Sequence, residues 1–150
     1  MADEQKLAQA LEAKFPVLAG KINLVRPRRM FVEVPAESFR QVLAHLKKEQ
    51  GFVYCCTITG TDDKDTLAAL YHLSDEAGTL LNLRLRVPRD APVIGTVTDL
   101  YPCCANYERE LIDLLGFTVE NLPPGNRYPM PDDFPRDQHP LRKDWQPAAK

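Results

Sequence analysis

Leu80-Leu81-Asn82-Leu83-Arg84-Leu85-Arg86-Val87 is the stretch that decides the fold. Leu81, Leu83 and Leu85 alternate with Asn82, Arg84 and Arg86, the period of two that a β-strand imposes on its side chains. One face is apolar and buried. The other is basic, either a solvated strand surface or an ion-pairing and docking surface. Working back along the chain, residues 67–73 read as an antiparallel partner, joined through Ser74-Asp75-Glu76-Ala77-Gly78, a run of turn residues. Before it, Phe52-Val53-Tyr54-Cys55-Cys56-Thr57-Ile58-Thr59 is apolar or small on both faces, which predicts a central strand. Asp62, Asp63, Lys64 and Asp65 then make a polar turn.

The strands alternate with helices. Residues 36–50 carry the period of 3.6, with Phe39, Val42, Leu43 and Leu46 in one stripe and Gly51 placed for a left-handed stop. Residues 3–15 predict a helix capped by Asp3, with Leu7, Leu11 and Phe15 on one side and Pro16 and Gly20 ending it. Residues 21–26 and 29–34 read as two strands around a tight turn at Pro27 and Arg28; Met30, Val32 and Val34 share a face and Glu33 lies on the other. Downstream, Pro88 and Pro92 end the quoted strand, and Pro102 suits the entry to a helix over 104–115 with Tyr107, Leu111, Leu114 and Leu115 as its apolar side and Gly116 as its stop. The order helix, two strands, helix, three strands, helix predicts an α+β two-layer sandwich with a mixed sheet.

Beyond that helix the composition changes. Of 13 prolines, Pro123, Pro124, Pro129, Pro131, Pro135, Pro140 and Pro147 fall in the last stretch, which excludes a regular helix or central strand there. Phe134, Leu141 and Trp145 read as apolar anchors that would let this segment dock. The expected organisation is an α+β domain over 1–120 and an extended arm over 121–150.

The 150 residues carry a formal charge of −2, without the basic excess typical of nucleic-acid binders. No apolar run approaches the ~18 residues of a membrane span. The Met1-Ala2-Asp3-Glu4 start lacks a secretory h-region, so a cytosolic chain with reduced thiols is expected. Cys55–Cys56 and Cys103–Cys104 are adjacent pairs without metal or redox spacing, and read as small buried residues. Two alternatives stand beside that reading: a metal site with all four thiolates as ligands, and a thiol-dependent enzyme using Cys55, Cys56, Cys103 or Cys104. No Gly-rich phosphate loop or G-x-S-x-G elbow is present, and His45, His72 and His139 are dispersed. His72 falls in a strand that could neighbour Cys55–Cys56.

Two constellations remain. In Tyr107-Glu108-Arg109-Glu110-Leu111-Ile112-Asp113, Arg109 and Asp113 are four apart and can pair, with Glu110 adding to an acidic patch. Arg142, Lys143, Arg84 and Arg86 are its expected basic partners. In the arm, His139-Pro140-Leu141-Arg142-Lys143-Asp144-Trp145 combines charges with apolar groups.

At these constellations the sequence resembles the 30-kDa subunit family of respiratory complex I, NADH–quinone oxidoreductase. Glu108-Arg109-Glu110, with Asp113 and Gly116, matches the family's Glu-Arg-Glu signature; Pro140-Leu141-Arg142-Lys143-Asp144 matches its second hallmark. Asp99-Leu100-Tyr101-Pro102 and Leu70-Tyr71-His72-Leu73-Ser74 resemble further family segments. Tyr128 to Pro135 is closer to the related accessory subunit of energy-converting, membrane-bound nickel–iron hydrogenases. The resemblance implies an accessory subunit with no catalytic, cofactor or metal site of its own, within an oxidoreductase complex that transfers electrons to quinone coupled to ion translocation. It implies NAD, quinone, FMN and iron–sulfur clusters, or a nickel–iron centre, elsewhere in that complex. The implied partners are a large hydrogenase-like catalytic subunit and a small iron–sulfur subunit. The implied location is cytoplasmic, peripheral to the inner (plasma) membrane through the complex. The motif residues, on this resemblance, are interface residues.

Overall fold

The computed structural model describes residues 2–147. Its elements are helix α1 (Ala2–Lys14), a 3-10 turn (Pro16–Leu18), strands β1 (Ile22–Arg26) and β2 (Arg29–Glu33), helix α2 (Ala36–Glu49), strands β3 (Tyr54–Asp62), β4 (Thr66–Ser74), β5 (Leu80–Pro88) and β6 (Val93–Gly95), helix α3 (Cys104–Leu115) and strand β7 (Thr118–Glu120). The α+β class and the mixed sheet agree with the sequence. Five strands lie in the order β1-β2-β5-β4-β3. β1 and β2 are antiparallel, whereas β2 and β5 are parallel and therefore need the long connection that contains α2.

The chain divides into two compact units, one of residues up to Thr57 with Leu70–Arg86, the other of Ile58–Ala69 with Val87 onward. In the first, the register of β2 on β5 places Met30 beside Leu81 and Val32 beside Leu83. All four side chains are buried, so a one-residue slip would turn apolar groups to water. The α2 stripe of Phe39, Val42, Leu43 and Leu46 is buried as its spacing predicts, and the Phe39 ring packs 4.7 Å from that of Tyr71. Gly51, at φ 77, takes the left-handed conformation after α2 that a side chain would resist.

The polar face of β5 is only partly the open basic surface its alternation suggests. Asn82 is buried: its Nδ2 donates to Met30 O at 3.0 Å and its Oδ1 lies 2.5 Å from His72 Nδ1. A buried amide is tolerated because it is hydrogen-bonded. Arg86 does form an ion pair, with Glu33 at 2.5 Å.

Three expectations are corrected. The strand expected at 52–59 runs from Tyr54 to Asp62 and lies at the sheet edge, not its centre. Its small residues mark close approach instead: a methyl on Gly60 would collide with Leu111 and Leu115 of α3. The short β6 and β7 pair in parallel as a second sheet, too brief for either to show a period. Cys55 and Cys104 are buried, but Cys56 and Cys103 are exposed, because adjacent residues of a strand or a helix entry face different ways.

Candidate functional site

Both sequence constellations fall in the second unit, and the structure brings them together at the C-terminal end of α3. Gly116 stops that helix at φ 73, its N–H directed at the Ile112 and Leu111 carbonyls. A helix end leaves its last carbonyls without intrahelical donors. Here the arm supplies them. His139 Nδ1 lies 3.1 Å from Asp113 O, Leu141 N donates to Leu114 O at 3.0 Å, and Arg142 Nε donates to Leu115 O at 2.7 Å. The Arg142 cation also suits the negative end of the helix dipole. The second hallmark thus caps the helix that carries the first. A methyl on Gly116 would sit 2.6 Å from the His139 ring and 2.9 Å from Arg142, so glycine is needed for clearance as well as for φ.

Within α3, the pair that helical spacing suggests is replaced by contacts to other segments. Arg109 and Asp113 do not pair. Arg109 donates to Asn106 Oδ1 at 3.2 Å and to the carbonyls of Pro123 and Pro124 at 2.9 and 3.3 Å. Gly125 makes room for that guanidinium, since a Cβ there would overlap it. Asp113 is buried and bonded by Arg127, Nε to Oδ2 at 3.1 Å and Nη2 to Oδ1 at 3.3 Å, with Met130 N donating at 3.2 Å. The expected partners Arg142, Lys143, Arg84 and Arg86 do not serve it. Helical spacing identifies residues on one face; it cannot foresee a chain that folds back along that face. Glu108 is wholly buried. It accepts from Thr96 Oγ1 at 2.6 Å and Val97 N at 2.7 Å, and burial pushes its carboxyl above the usual carboxylate range against those hydrogen bonds. Glu110 is half-buried and forms no side-chain hydrogen bond or ion pair among the described residues.

Asp62, the last residue of β3, opens the polar turn Asp62-Asp63-Lys64-Asp65. It accepts from Lys64 N at 2.9 Å, a local turn contact, and from Lys143 N at 2.8 Å. Arg89 bridges Asp62 to Asp144, the latter at 2.7 Å. Burial works to raise the Asp62 pKa. It is outweighed by Arg89 and the two backbone N–H groups, which hold it at about 2. The turn residue itself was readable in the Asp-Asp-Lys-Asp run, but its partners were not. Arg127 and Arg89 carry no periodic or motif signal at all, each standing alone beside proline, asparagine or aspartate.

The anchors differ from expectation too. Phe134 and Trp145 are half-buried, and Trp145 Nε1 donates to Gln138 at 3.2 Å. Leu141 is 55% exposed, because its backbone, not its side chain, ties it to α3. Among the described residues no group of three or more His, Cys, Asp or Glu side chains could hold a metal ion. No helix among them is long and apolar enough to cross a membrane.

The chain belongs to the family described as respiratory-chain NADH dehydrogenase, 30 Kd subunit, which matches residues 32–150. It is 31% identical to a subunit of the F420H2 dehydrogenase of Methanosarcina mazei, over 96% of this chain and 92% of that one. It is 25% identical to the membrane-bound hydrogenase subunit beta of Pyrococcus furiosus, over 96% and 87%. Among solved structures it resembles a chain of the membrane-bound sulfane sulfur reductase, an archaeal respiratory membrane complex. That match has a TM-score of 0.84 and 29% identity, and covers 96% of this chain and 86% of the other. A non-catalytic accessory role is consistent with this family.

Proposed function

We propose that this chain is an accessory subunit of a membrane-associated, multi-subunit respiratory or hydrogenase complex, without an active site of its own. It supports electron transfer to quinone coupled to ion translocation by holding neighbouring subunits in place. Its proposed partners are the large hydrogenase-like subunit and the small iron–sulfur subunit, on the cytoplasmic side of the membrane. The NAD, FMN, quinone and cluster or nickel–iron chemistry belongs to those neighbours.

The observation that carries this reading is how the motif residues are used. Glu108, Arg109, Asp113, Gly116, Arg142 and Asp144 all face groups of their own chain. These contacts tie α3 to the C-terminal segment of the chain. Along the second hallmark the backbone N–H groups of Leu141 and Lys143 bond inward while both side chains are exposed. A segment held in this way presents Leu141 and Lys143 outward, as an interface element would.

Tagged chain recovered from gently solubilised membranes of its source should bring the large and small subunits with it. Recovery of the chain alone would overturn the proposal.

A further inference from the structure

The β1–β2 hairpin carries a feature that the family match does not reach, because that match begins at residue 32. Arg26-Pro27-Arg28-Arg29 forms its tip, and Arg26 stands directly opposite Arg29 in the ladder. Like charges facing each other across two strands destabilise the pair. Arg28 adds a third cation and adopts φ 58, a left-handed conformation unfavourable for a side chain of its size. Among the described residues no carboxylate pairs with any of the three guanidinium groups. Arg28 reaches only the Ala77 carbonyl, at 3.5 Å, and Arg29 lies 5.8 Å over the Phe31 ring. The carboxylate of Glu4 is close, but it accepts from the backbone N–H of Arg28 at 2.5 Å and so pins the turn.

Three cations are therefore concentrated at one strained turn in a chain whose net charge is −2. The fold is locally unfavourable here, and such conflicts between local chemistry and stability concentrate at functional sites. The tip also has a concave surface: a cavity of about 370 Å³ lined by Arg26, Pro27, Arg28, Arg29, Gly78 and Leu80. No acidic residue lines it. Val25, the residue before Arg26 in the chain, is 52% exposed.

We propose that this hairpin tip is a docking site for an acidic segment of a neighbouring subunit. The inference rests on the accessory-subunit reading and adds a second contact surface to the arm. Charge complementarity selects an anionic partner. The exposed Val25 favours a polypeptide over a small hydrated anion, because only a chain carries apolar side chains between its carboxylates. Arginine suits the role, since its planar fork binds carboxylates in a bidentate manner.

The experiment compares tagged wild-type chain with the Arg26→Gln/Arg29→Gln variant, each expressed in the source organism. Neighbouring subunits retained on gentle solubilisation are quantified, and the isolated chains are melted. The variant should retain about tenfold less of a neighbouring subunit. It should melt no lower than wild type, because the opposed charges are gone. Retention by the wild type should also fall as salt is raised. Equal retention by variant and wild type would overturn the docking site and leave the accessory reading intact. Wild-type chain that retains no neighbour would overturn the accessory reading. Titration of the isolated chain with inorganic phosphate separates the remaining source. Binding that the variant loses, with retention unchanged, would make this a small-anion site and refute the proposal.

Discussion

Arg127 grips Asp113 with two nitrogens, at 3.1 and 3.3 Å, although the two lie fourteen positions apart in the chain. This pair joins the signature helix to the proline-rich arm. Arg127 also donates to the Phe134 carbonyl at 2.6 Å, so one side chain fixes both the helix and the course of the arm beyond it. Both charged side chains are nearly out of water, at 5% and 9% exposure. Removing one partner strands the other.

Arg127→Ala should therefore destabilise the isolated chain by about 3 kcal/mol, the cost of leaving a buried charge without its partner. Arg109→Ala, which removes only partly exposed bonds to carbonyls, should cost about 1 kcal/mol. Urea unfolding of the two variants checks the ranking. Equal costs would refute the assignment of Asp113 to Arg127.

Asp62 predicts an acid transition. Its folded pKa of about 2 lies below the ordinary value of 3.8, so its contribution is present above 3.8 and is lost as the pH falls toward 2. Asp62→Asn should flatten the pH dependence of unfolding in that window and weaken protection of the Lys143 amide in hydrogen exchange at neutral pH.

Glu108 predicts the opposite sign. Its folded pKa is raised above 4.5, chiefly by burial, so its contribution is full below 4.5 and declines as the pH rises through the folded value. Glu108→Gln removes the ionisation. Its amide oxygen can accept from Val97 N and its amide group can donate to Thr96. Relative to wild type, the variant should gain stability as the pH is raised from 4.5 to 8. A constant difference across that range would contradict the prediction.

Gly125→Ala should loosen the arm and leave the core alone. The added methyl would overlap the Arg109 guanidinium and drive it from the Pro123 and Pro124 carbonyls. The expected cost is about 1 kcal/mol, in the range of overpacking at an adaptable site. Faster tryptic cleavage at Arg127 or Arg136, with a melting temperature lowered by about 3 °C, is the readout.

Thiol labelling should be biphasic. Cys56 and Cys103 are exposed and should react in the native protein, while Cys55 and Cys104 should react only on unfolding. Native reactivity of two thiols thus follows from exposure alone and is no sign of a catalytic cysteine.

The strongly periodic parts of the fold were legible. The α2 stripe and the alternation of β5 each repeat one physical rule over several turns or pairs, and Gly51 and Gly116 mark their helix ends by conformation. The edge position of β3 was not legible, because small residues fit a covered centre and a close-packed edge equally well. For the candidate site, the signature and the hallmark could be located, but their wiring could not. Asp113 meets Arg127, and Asp62 meets Lys143, only because the arm reverses direction, and reversal at a proline-rich segment leaves no periodic trace.

The bond from Lys143 N to Asp62 spans 81 positions of the chain. At roughly 10 residues per second of synthesis, the carboxylate waits about 8 s for this donor. Until then a charged group destined for burial remains in water at the end of β3. The second unit therefore closes last, when the arm arrives, and nascent chains that lack the arm keep that strand end open to other chains.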